Sequence, residues 1–169
     1  MRTFLVSLAL LGFVAACGNN APTEAPPVEQ SEAEAAATAQ AAALQAATDE
    51  ARAGLPRFWE LQGANDGDAF WLKVAYATPD GGSEQIWLNR IRGGPEGLTG
   101  VVQNQPQNLP SLRLNERAPI NVNQIYDWSI TRGGRTYGHY TTRVILSSRS
   151  PEERAQSQAF LDSLEQGLP

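Results

Sequence analysis

Apolar and polar residues alternate with a period of two along the middle of the chain. From Phe70 to Tyr76 every second residue is a large apolar one, which is the pattern of a half-buried β-strand. Similar short runs at 84–91, 98–103 and 118–122 predict three more strands. Turns that contain glycine and proline separate the first three runs, so we expect hairpins with antiparallel neighbours.

A final hairpin is predicted around Gly133-Gly134. Its first strand would cover 128–131 and its second 136–146, and a turn or single helical turn at 123–127 would precede it.

An alanine-rich segment at 31–53 predicts a helix that ends near Arg52, because alanine has the highest helix propensity. Ser31 and Glu34 fit a capping box at its start. Since Leu44 is almost its only large apolar side chain, we expect a stalk or a loosely docked helix rather than a core element.

Two further helices are predicted on either side of the strands. Residues 56–62 carry an apolar stripe that should lie against the sheet. The last segment, 150–169, begins with Ser150, followed by proline and by Glu153 at capping-box spacing, and Gly167 should end the helix. Its apolar face would consist of Ala155, Phe160, Leu161 and Leu164.

These elements predict an α+β fold. A curved antiparallel sheet of five to six strands would carry a short N-terminal helix and a capped C-terminal helix. The domain would cover 54–149, and the capped helix would cover 150–169.

The first residues have the layout of a secretory signal, which predicts a signal peptide at 1–16. The apolar run is about 11 residues long, too short to span a bilayer. Val14-Ala15-Ala16-Cys17 looks like a lipobox, so we expect cleavage before Cys17 and a lipid anchor on that residue. The alternative is an ordinary signal peptide that is followed by an unremarkable cysteine.

Cys17 is the only cysteine, so no intramolecular disulfide is possible. Residues 17–30 are polar and proline-rich, which predicts a flexible tether. Gly18 stands where an aspartate often retains lipoproteins in the inner membrane. By analogy, we expect an outer-membrane location in the cell envelope, facing the periplasm.

The distribution of charge along the chain limits which classes of partner are expected. Residues 51–149 contain 11 Lys or Arg and 8 Asp or Glu, a nearly balanced set, while the acidic residues of the tether and first helix dominate the whole chain. A nucleic-acid-binding domain usually has a large basic face, so no nucleic-acid partner is expected.

Several segments resemble, in order, the YegJ-like bacterial family, the domain of unknown function 2314. The resemblance covers about 51–146 and implies a fold but no reaction. Glycine is more usual in that family at the place of His139, and the resemblance leaves out the alanine-rich helix and the helix after Ser150. The segments are Phe70 to Tyr76, Glu84-x-Ile86-Trp87-Leu88, Leu98-Thr99-Gly100-Val101 with Asn104-x-Pro106, Ile125-Tyr126-Asp127-Trp128, and Gly138-x-Tyr140-Thr141-x-Arg143-Val144.

Asp127-Trp128 is the candidate recognition pair, since an indole offers contact area and a carboxylate fixes orientation. Trp87 and Arg143 complete the candidate binding face, with Arg143 as a possible cross-hairpin partner of Asp127. The alternative is structural: Trp128 fills the core and Asp127 caps a turn.

Complete catalytic or metal sets are missing from the sequence. His139 is the only histidine, so a cross-hairpin cluster of Asp127, Ser129 and His139 is conceivable, with a partly exposed strand histidine as the alternative. No metal site is expected, because zinc needs several His or Cys ligands and the Asp66-to-Asp68 loop lacks EF-hand spacing. No cofactor is expected either.

The leading functional hypothesis is a non-catalytic envelope lipoprotein that binds a protein, peptide or glycan in the periplasm. The second is an enzyme of unrecognised type that uses Asp127 and His139, with Arg143 as a further candidate. A third is an immunity-like protein that protects against a toxin.

Overall fold

The structure is a computed structural model, and it describes residues 27–94, 97–165 and 167. The predicted signal peptide, Cys17 and the tether up to residue 26 lie outside the described residues. The helices are α1 (Pro27–Ala53), α2 (Leu55–Gly63), α3 (Tyr140–Ser147) and α4 (Pro151–Asp162), and the strands are β1 (Ala69–Ala77), β2 (Ser83–Arg92), β3 (Thr99–Val102), β4 (Arg117–Pro119), β5 (Ile125–Arg132) and β6 (Arg135–Gly138).

The six strands form one antiparallel sheet in the order β4-β3-β2-β1-β5-β6. This arrangement confirms the predicted α+β class with its antiparallel sheet of up to six strands. β1 and β2 pair in register from Leu72 opposite Leu88 to Ala77 opposite Ser83. On its other side β1 pairs with β5, which places Trp128 opposite Leu72.

The alternation along the strands gives the sheet two different faces. The core face carries Leu72, Leu88, Trp128 and Ile130, all with no exposed surface, and Phe58 of α2 is buried against it. The opposite face, called the open face below, carries Trp71, Lys73, Trp87, Asp127, Ser129 and Thr131.

α1 docks on the domain with its last turns only. Ala47, Thr48 and Ala51 are buried, and the Trp128 indole N–H donates to the Ala51 carbonyl over 2.7 Å. Residues 31–39 are all exposed. The helix also begins at Pro27, so the capping box predicted at Ser31 is wrong: that serine lies inside the helix.

The second strand predicted at 136–146 is wrong. β6 ends at Gly138, and α3 begins two residues later. Gly138 and His139 both have positive φ, 86° and 57°, which turns the chain away from the sheet. The Asp127 carboxylate then accepts the N–H groups of Tyr140 and Thr141, which satisfies the first turn of the helix.

The C-terminal helix starts as predicted, with Ser150 and Glu153 in a capping box. It ends at Asp162 rather than near Gly167, and none of its described residues is buried. Leu164 lies beyond the helix and bridges to Thr136 on the edge strand β6. α4 is therefore held beside the sheet by few contacts, and Phe160 stays 39% exposed.

Candidate ligand-binding groove

A buried polar cluster lies on the open face, where β1, β5 and α3 meet. The Lys73 ammonium donates to the Thr141 hydroxyl over 3.0 Å, and that hydroxyl donates to Asp127 over 2.6 Å. The carboxylate also accepts the backbone N–H groups of Trp128, Tyr140 and Thr141. Of the four hydrogen bonds to Asp127, one comes from the next residue, Trp128, and three come from the start of α3.

Burial acts on both charged members of this cluster. It raises the pKa of the Asp127 carboxyl, and the Thr141 hydrogen bond and the charge of Lys73 oppose that rise. It lowers the pKa of the Lys73 ammonium, and the charge of Asp127 opposes that fall. Because the members partner one another, removal of the Thr141 hydroxyl would take from the buried Lys73 ammonium its hydrogen bond to that group and would leave Asp127 with one hydrogen bond fewer.

The structure corrects the predicted recognition pair. Asp127 and Trp128 are both 0% exposed, so neither can present a surface to a partner. Successive strand residues point to opposite faces, and here both faces are covered: Trp128 lies in the core, and Asp127 lies under the start of α3. The structural alternative therefore describes this pair, with Trp128 in the core and Asp127 as a cap.

Arg143 is not the cross-hairpin partner of Asp127 either, because it lies on a helix. Its guanidinium donates to the carbonyls of Gly138 and Glu165, over 3.1 and 2.6 Å. It thereby joins the end of β6 to the segment after α4, which is a structural role.

Trp87 does lie on the open face, and its ring takes part in an aromatic group with His139 and Phe160. The His139 ring centroid lies 5.1 Å from that of Trp87 and 5.2 Å from that of Phe160. Lys73 lies beside the same indole, with its Nζ 5.1 Å from the ring centroid. The group brings together β1, β2, α4 and the turn before α3.

His139 is a neutral imidazole at ordinary pH. Burial lowers its pKa to about 4, and the nearby charges of Lys73 and Arg143 act in the same direction. Its Nδ1 is shielded from solvent and has no hydrogen-bond partner among the described residues. The predicted cluster of Asp127 and His139 is not formed, because no hydrogen bond between the two is present in this described region.

These residues line a groove of about 330 Å³ on the open face, which is within the usual size range of ligand pockets. Across the sheet, the side-chain amides lie at the β3 end, the indoles on β2 and β1, and the hydroxyls on β5 and β6. The lining residues are Trp71, Trp87, Gln103, Asn104, Ser129, Thr131, Thr136, His139 and Phe160.

Three hydroxyl groups in the groove make no hydrogen bond to any residue that the structure describes. They belong to Ser129 and Thr131 on β5 and to Thr136 on β6. Register places Trp71 opposite Ser129, and Thr131 opposite Thr136. The sheet thus sets unpaired hydroxyls directly beside an indole.

Comparison with known proteins supplies the family. A model of the family described as an uncharacterised protein conserved in bacteria (DUF2314) matches residues 41–162. The uncharacterised protein YegJ of Escherichia coli K12 is 30% identical over 119 residues, which are 70% of this chain and 77% of the relative. This chain belongs to the DUF2314 family.

A putative ankyrin repeat protein of Neisseria meningitidis serogroup B is also similar. The identity is 28% over 76 residues, which are 45% of this chain but only 30% of that protein. No solved structure matches this chain.

The DUF2314 match is longer than the 51–146 expected from the sequence. It includes α4 and the docked half of α1, both of which the sequence reasoning placed outside the family region. Every residue that lines the groove lies within the match, and the match begins close to where α1 starts to contact the domain.

Four residues that matter in this region were not predicted as site residues from the sequence. Lys73 and Thr141 lack any local motif, and only the pairing of β1 with β5 and the start of α3 bring them to Asp127. Phe160 belonged to a predicted core face. Trp71 was not predicted as a site residue, although it lies out of phase with the apolar residues of β1, which places it on the open face.

Other concavities lack this combination of groups. Clefts of about 420, 410 and 370 Å³ lie beside the 105–113 loop, between α1 and α3, and beside Trp59. The first is a shallow loop surface and the third is almost wholly apolar. The second combines alanines of α1 with Tyr140 and with the charged residues Glu50, Arg143 and Glu165. Among the described residues, no group of His, Cys, Asp and Glu could hold a metal ion, and no helix is long and apolar enough to cross a membrane.

Proposed function

We propose that this protein is a non-catalytic binding module of the bacterial cell envelope, anchored by lipid on Cys17, which holds its ligand in the open-face groove. The observation that carries this proposal is the groove itself. Two indoles, a neutral imidazole and three unpaired hydroxyls share one sheet face, while the apolar residues that stabilise the fold lie on the other.

The start of the chain supports the anchor. Val14-Ala15-Ala16-Cys17 looks like a lipobox, and an exposed helical stretch separates it from the domain. Residues 31–43 would extend about 20 Å as a helix. A spacer of this kind would hold the groove away from the membrane surface, where a large ligand can reach it.

The geometry favours binding over catalysis. Both Asp127 oxygens are occupied by structural hydrogen bonds, so the carboxylate neither orients His139 nor faces the groove. A nucleophile needs a base within hydrogen-bond reach. No hydrogen bond joins the Ser129 hydroxyl to such a base among the residues that the structure describes.

The groove can be tested by capture in living cells. Cells that produce the tagged full-length protein would be cross-linked, and what co-purifies would be identified and quantified. We expect Trp71→Ala with Trp87→Ala to reduce recovery of the ligand more than about tenfold, because loss of a central aromatic contact costs about 2 kcal/mol or more. Circular dichroism and urea unfolding would establish that the variant is folded.

Trp59→Phe is the matched control, since Trp59 packs on the core cluster away from the groove. It should recover as much ligand as the wild type. Equal recovery from the folded double variant, or no specific ligand with any of the three proteins, would reject the groove as the binding site.

The anchor has a separate test. Metabolic labelling with an alkyne fatty acid should mark the wild-type protein and leave Cys17→Ser unmarked. Fractionation should move the serine variant out of the outer membrane. An unlabelled wild type, or equal labelling of both proteins, would remove the lipid anchor from the proposal without affecting the groove.

A further inference from the structure

The groove is electrically neutral. None of its lining residues is Asp, Glu, Lys or Arg, and its histidine is uncharged at ordinary pH. A charged ligand would lose hydration there without gaining a counter-charge. The chemistry of the lining therefore favours an uncharged ligand.

The charge of Lys73, beside the groove, also disfavours cationic ligands. The Lys73 ammonium lies 5.1 Å from the Trp87 ring centroid and occupies the cation–π position beside that ring. It is buried and bonded to Thr141, so it repels a second cation without being free to bind an anion. An aromatic cage for quaternary ammonium groups would lack this lysine.

The arrangement of rings and hydroxyls matches a sugar rather than an apolar chain. A pyranose has an apolar C–H face that can lie on an indole, and hydroxyls around its edge. Trp71 provides such a ring beside the hydroxyls of Ser129 and Thr131, each of which can both donate and accept. An apolar peptide side chain in the same place would leave those hydroxyls without partners, which costs binding free energy.

The extent of the groove sets the size of the ligand. Trp87, Trp71, Ser129 and Thr136 stand on four successive strands, β2, β1, β5 and β6. Neighbouring strands lie about 4.8 Å apart, so these residues span roughly 14 Å. That length suits several linked sugar rings.

We infer that the open-face groove binds a neutral oligosaccharide, with Trp71 and Trp87 stacking on its rings and the partly exposed Thr131 and Thr136 bonding its hydroxyls. This inference rests on the proposed function and names its ligand class.

Titration of the purified full-length protein tests it. The protein would be kept in a polyoxyethylene detergent, because sugar-headed detergents would compete for the groove. The probes are neutral hexasaccharides of glucose and of N-acetylglucosamine, both α- and β-linked. Calorimetry and tryptophan fluorescence would measure their binding. Hexagalacturonate, the fully deacetylated glucosamine hexamer and an uncharged decapeptide are the comparison probes.

At least one neutral hexasaccharide should bind with a Kd below about 1 mM. Trp71→Ala should weaken that binding at least tenfold, and Thr131→Val, which keeps the shape but removes the hydroxyl, should weaken it severalfold. Trp59→Phe should bind as the wild type does. Charged glycans and the peptide should bind at least tenfold more weakly than the neutral probe.

Preference for the peptide or a charged glycan, with the same dependence on Trp71, would overturn the sugar assignment and leave the groove as the binding site. Absence of binding by every neutral hexasaccharide would also overturn it. Groove-dependent capture in cells would then still support the proposed function, whereas loss of that capture as well would reject both.

Discussion

Asp127 acquires its role from its neighbours in space rather than from its neighbours in sequence. Beside Trp128 it has the composition of a recognition pair, yet the carboxylate caps α3 and holds the buried Lys73 through Thr141. The sequence contains the residues but no local pattern that reports the contact, because Lys73 and Thr141 are separated by 68 positions.

The Thr141 hydroxyl should be worth more to stability than an ordinary hydrogen bond. Thr141→Val should lower the free energy of unfolding by about 2–3 kcal/mol, because the buried charges of Lys73 and Asp127 each lose a partner. Thr141→Ser keeps the hydroxyl and should cost less than about 1 kcal/mol. Urea unfolding measures both values, and equal losses in the two variants would contradict the bridging role.

Gly138 is required for two reasons: its backbone has a positive φ, and there is no room for a Cβ atom. Its φ is +86°, and a Cβ there would meet the Trp128 carbonyl and lie 2.8 Å from the Trp128 ring. Gly138→Ala should therefore cost about 3 kcal/mol or more. Gly134 also has positive φ but open surroundings, so Gly134→Ala should cost only about 1 kcal/mol. Similar thermal unfolding of the two variants would show that the close approach is unimportant.

The lowered pKa of His139 predicts that the stability of the fold depends on pH. Its pKa is about 4 in the folded protein and 6.5 in an ordinary environment, so the unfolded chain binds a proton first as the pH falls. Above about pH 6.5 the imidazole is neutral in both states, so its burial carries no charging cost. As the pH falls towards 4, the unfolded chain is protonated and the folded protein is not. The free energy of unfolding therefore falls by up to about 2 kcal/mol after allowance for solvent screening.

His139→Asn isolates this effect, since asparagine tolerates positive φ and does not titrate. The stability difference between wild type and variant should shrink as the pH falls from 7 to 4.5, while Asp127 and Lys73 titrate alike in both. Urea midpoints at several pH values would measure it, and a constant difference would refute the neutral imidazole.

At the scale of elements, the sequence predicted best where one local rule decided the outcome. β1, β2, α2 and the capping box of α4 follow from alternation, an apolar stripe and a serine–glutamate pair. α3 could not be predicted in this way, because its start depends on a cap from Asp127 in another element.

α1 shows the same limit. Its alanines predict a helix, but its docking depends on one indole from β5 and on Arg52, whose guanidinium bonds the Ile125 carbonyl over 2.9 Å. The small side chains of Ala47 and Ala51 are what let the helix approach the sheet and α3. A search for large apolar residues alone therefore underestimates its contacts.

Hydrogen exchange should divide α1 into two parts. Residues 31–39 should exchange rapidly, and the amides near Ala51 should be protected. Trp128→Phe removes the indole donor, which is worth about 1 kcal/mol, so exchange near Ala51 should rise several-fold. Trp59→Phe serves as the control and should leave it unchanged. Uniform protection along α1, or no effect of Trp128→Phe, would contradict docking through the last turns.

At the scale of the whole molecule, the two faces of the sheet carry different sets of side chains. The core face buries the large apolar residues and receives α1 and α2, while the open face holds the groove with its two indoles and unpaired hydroxyls. The sequence predicted the sheet but not this division, because the tryptophans that fill the core and those that line the groove look alike until the register is known.

Photo-cross-linking in living cells tests this division most directly. A photoreactive residue would replace Gln103, which lines the groove but is not among its proposed ligand-contacting residues, or Gln62 on α2, one at a time, in the full-length protein. We expect a strong adduct from position 103 that disappears when Trp71→Ala is added, and little or none from position 62. Equal adducts from both positions, or an adduct from position 62 alone, would contradict a ligand-binding open face.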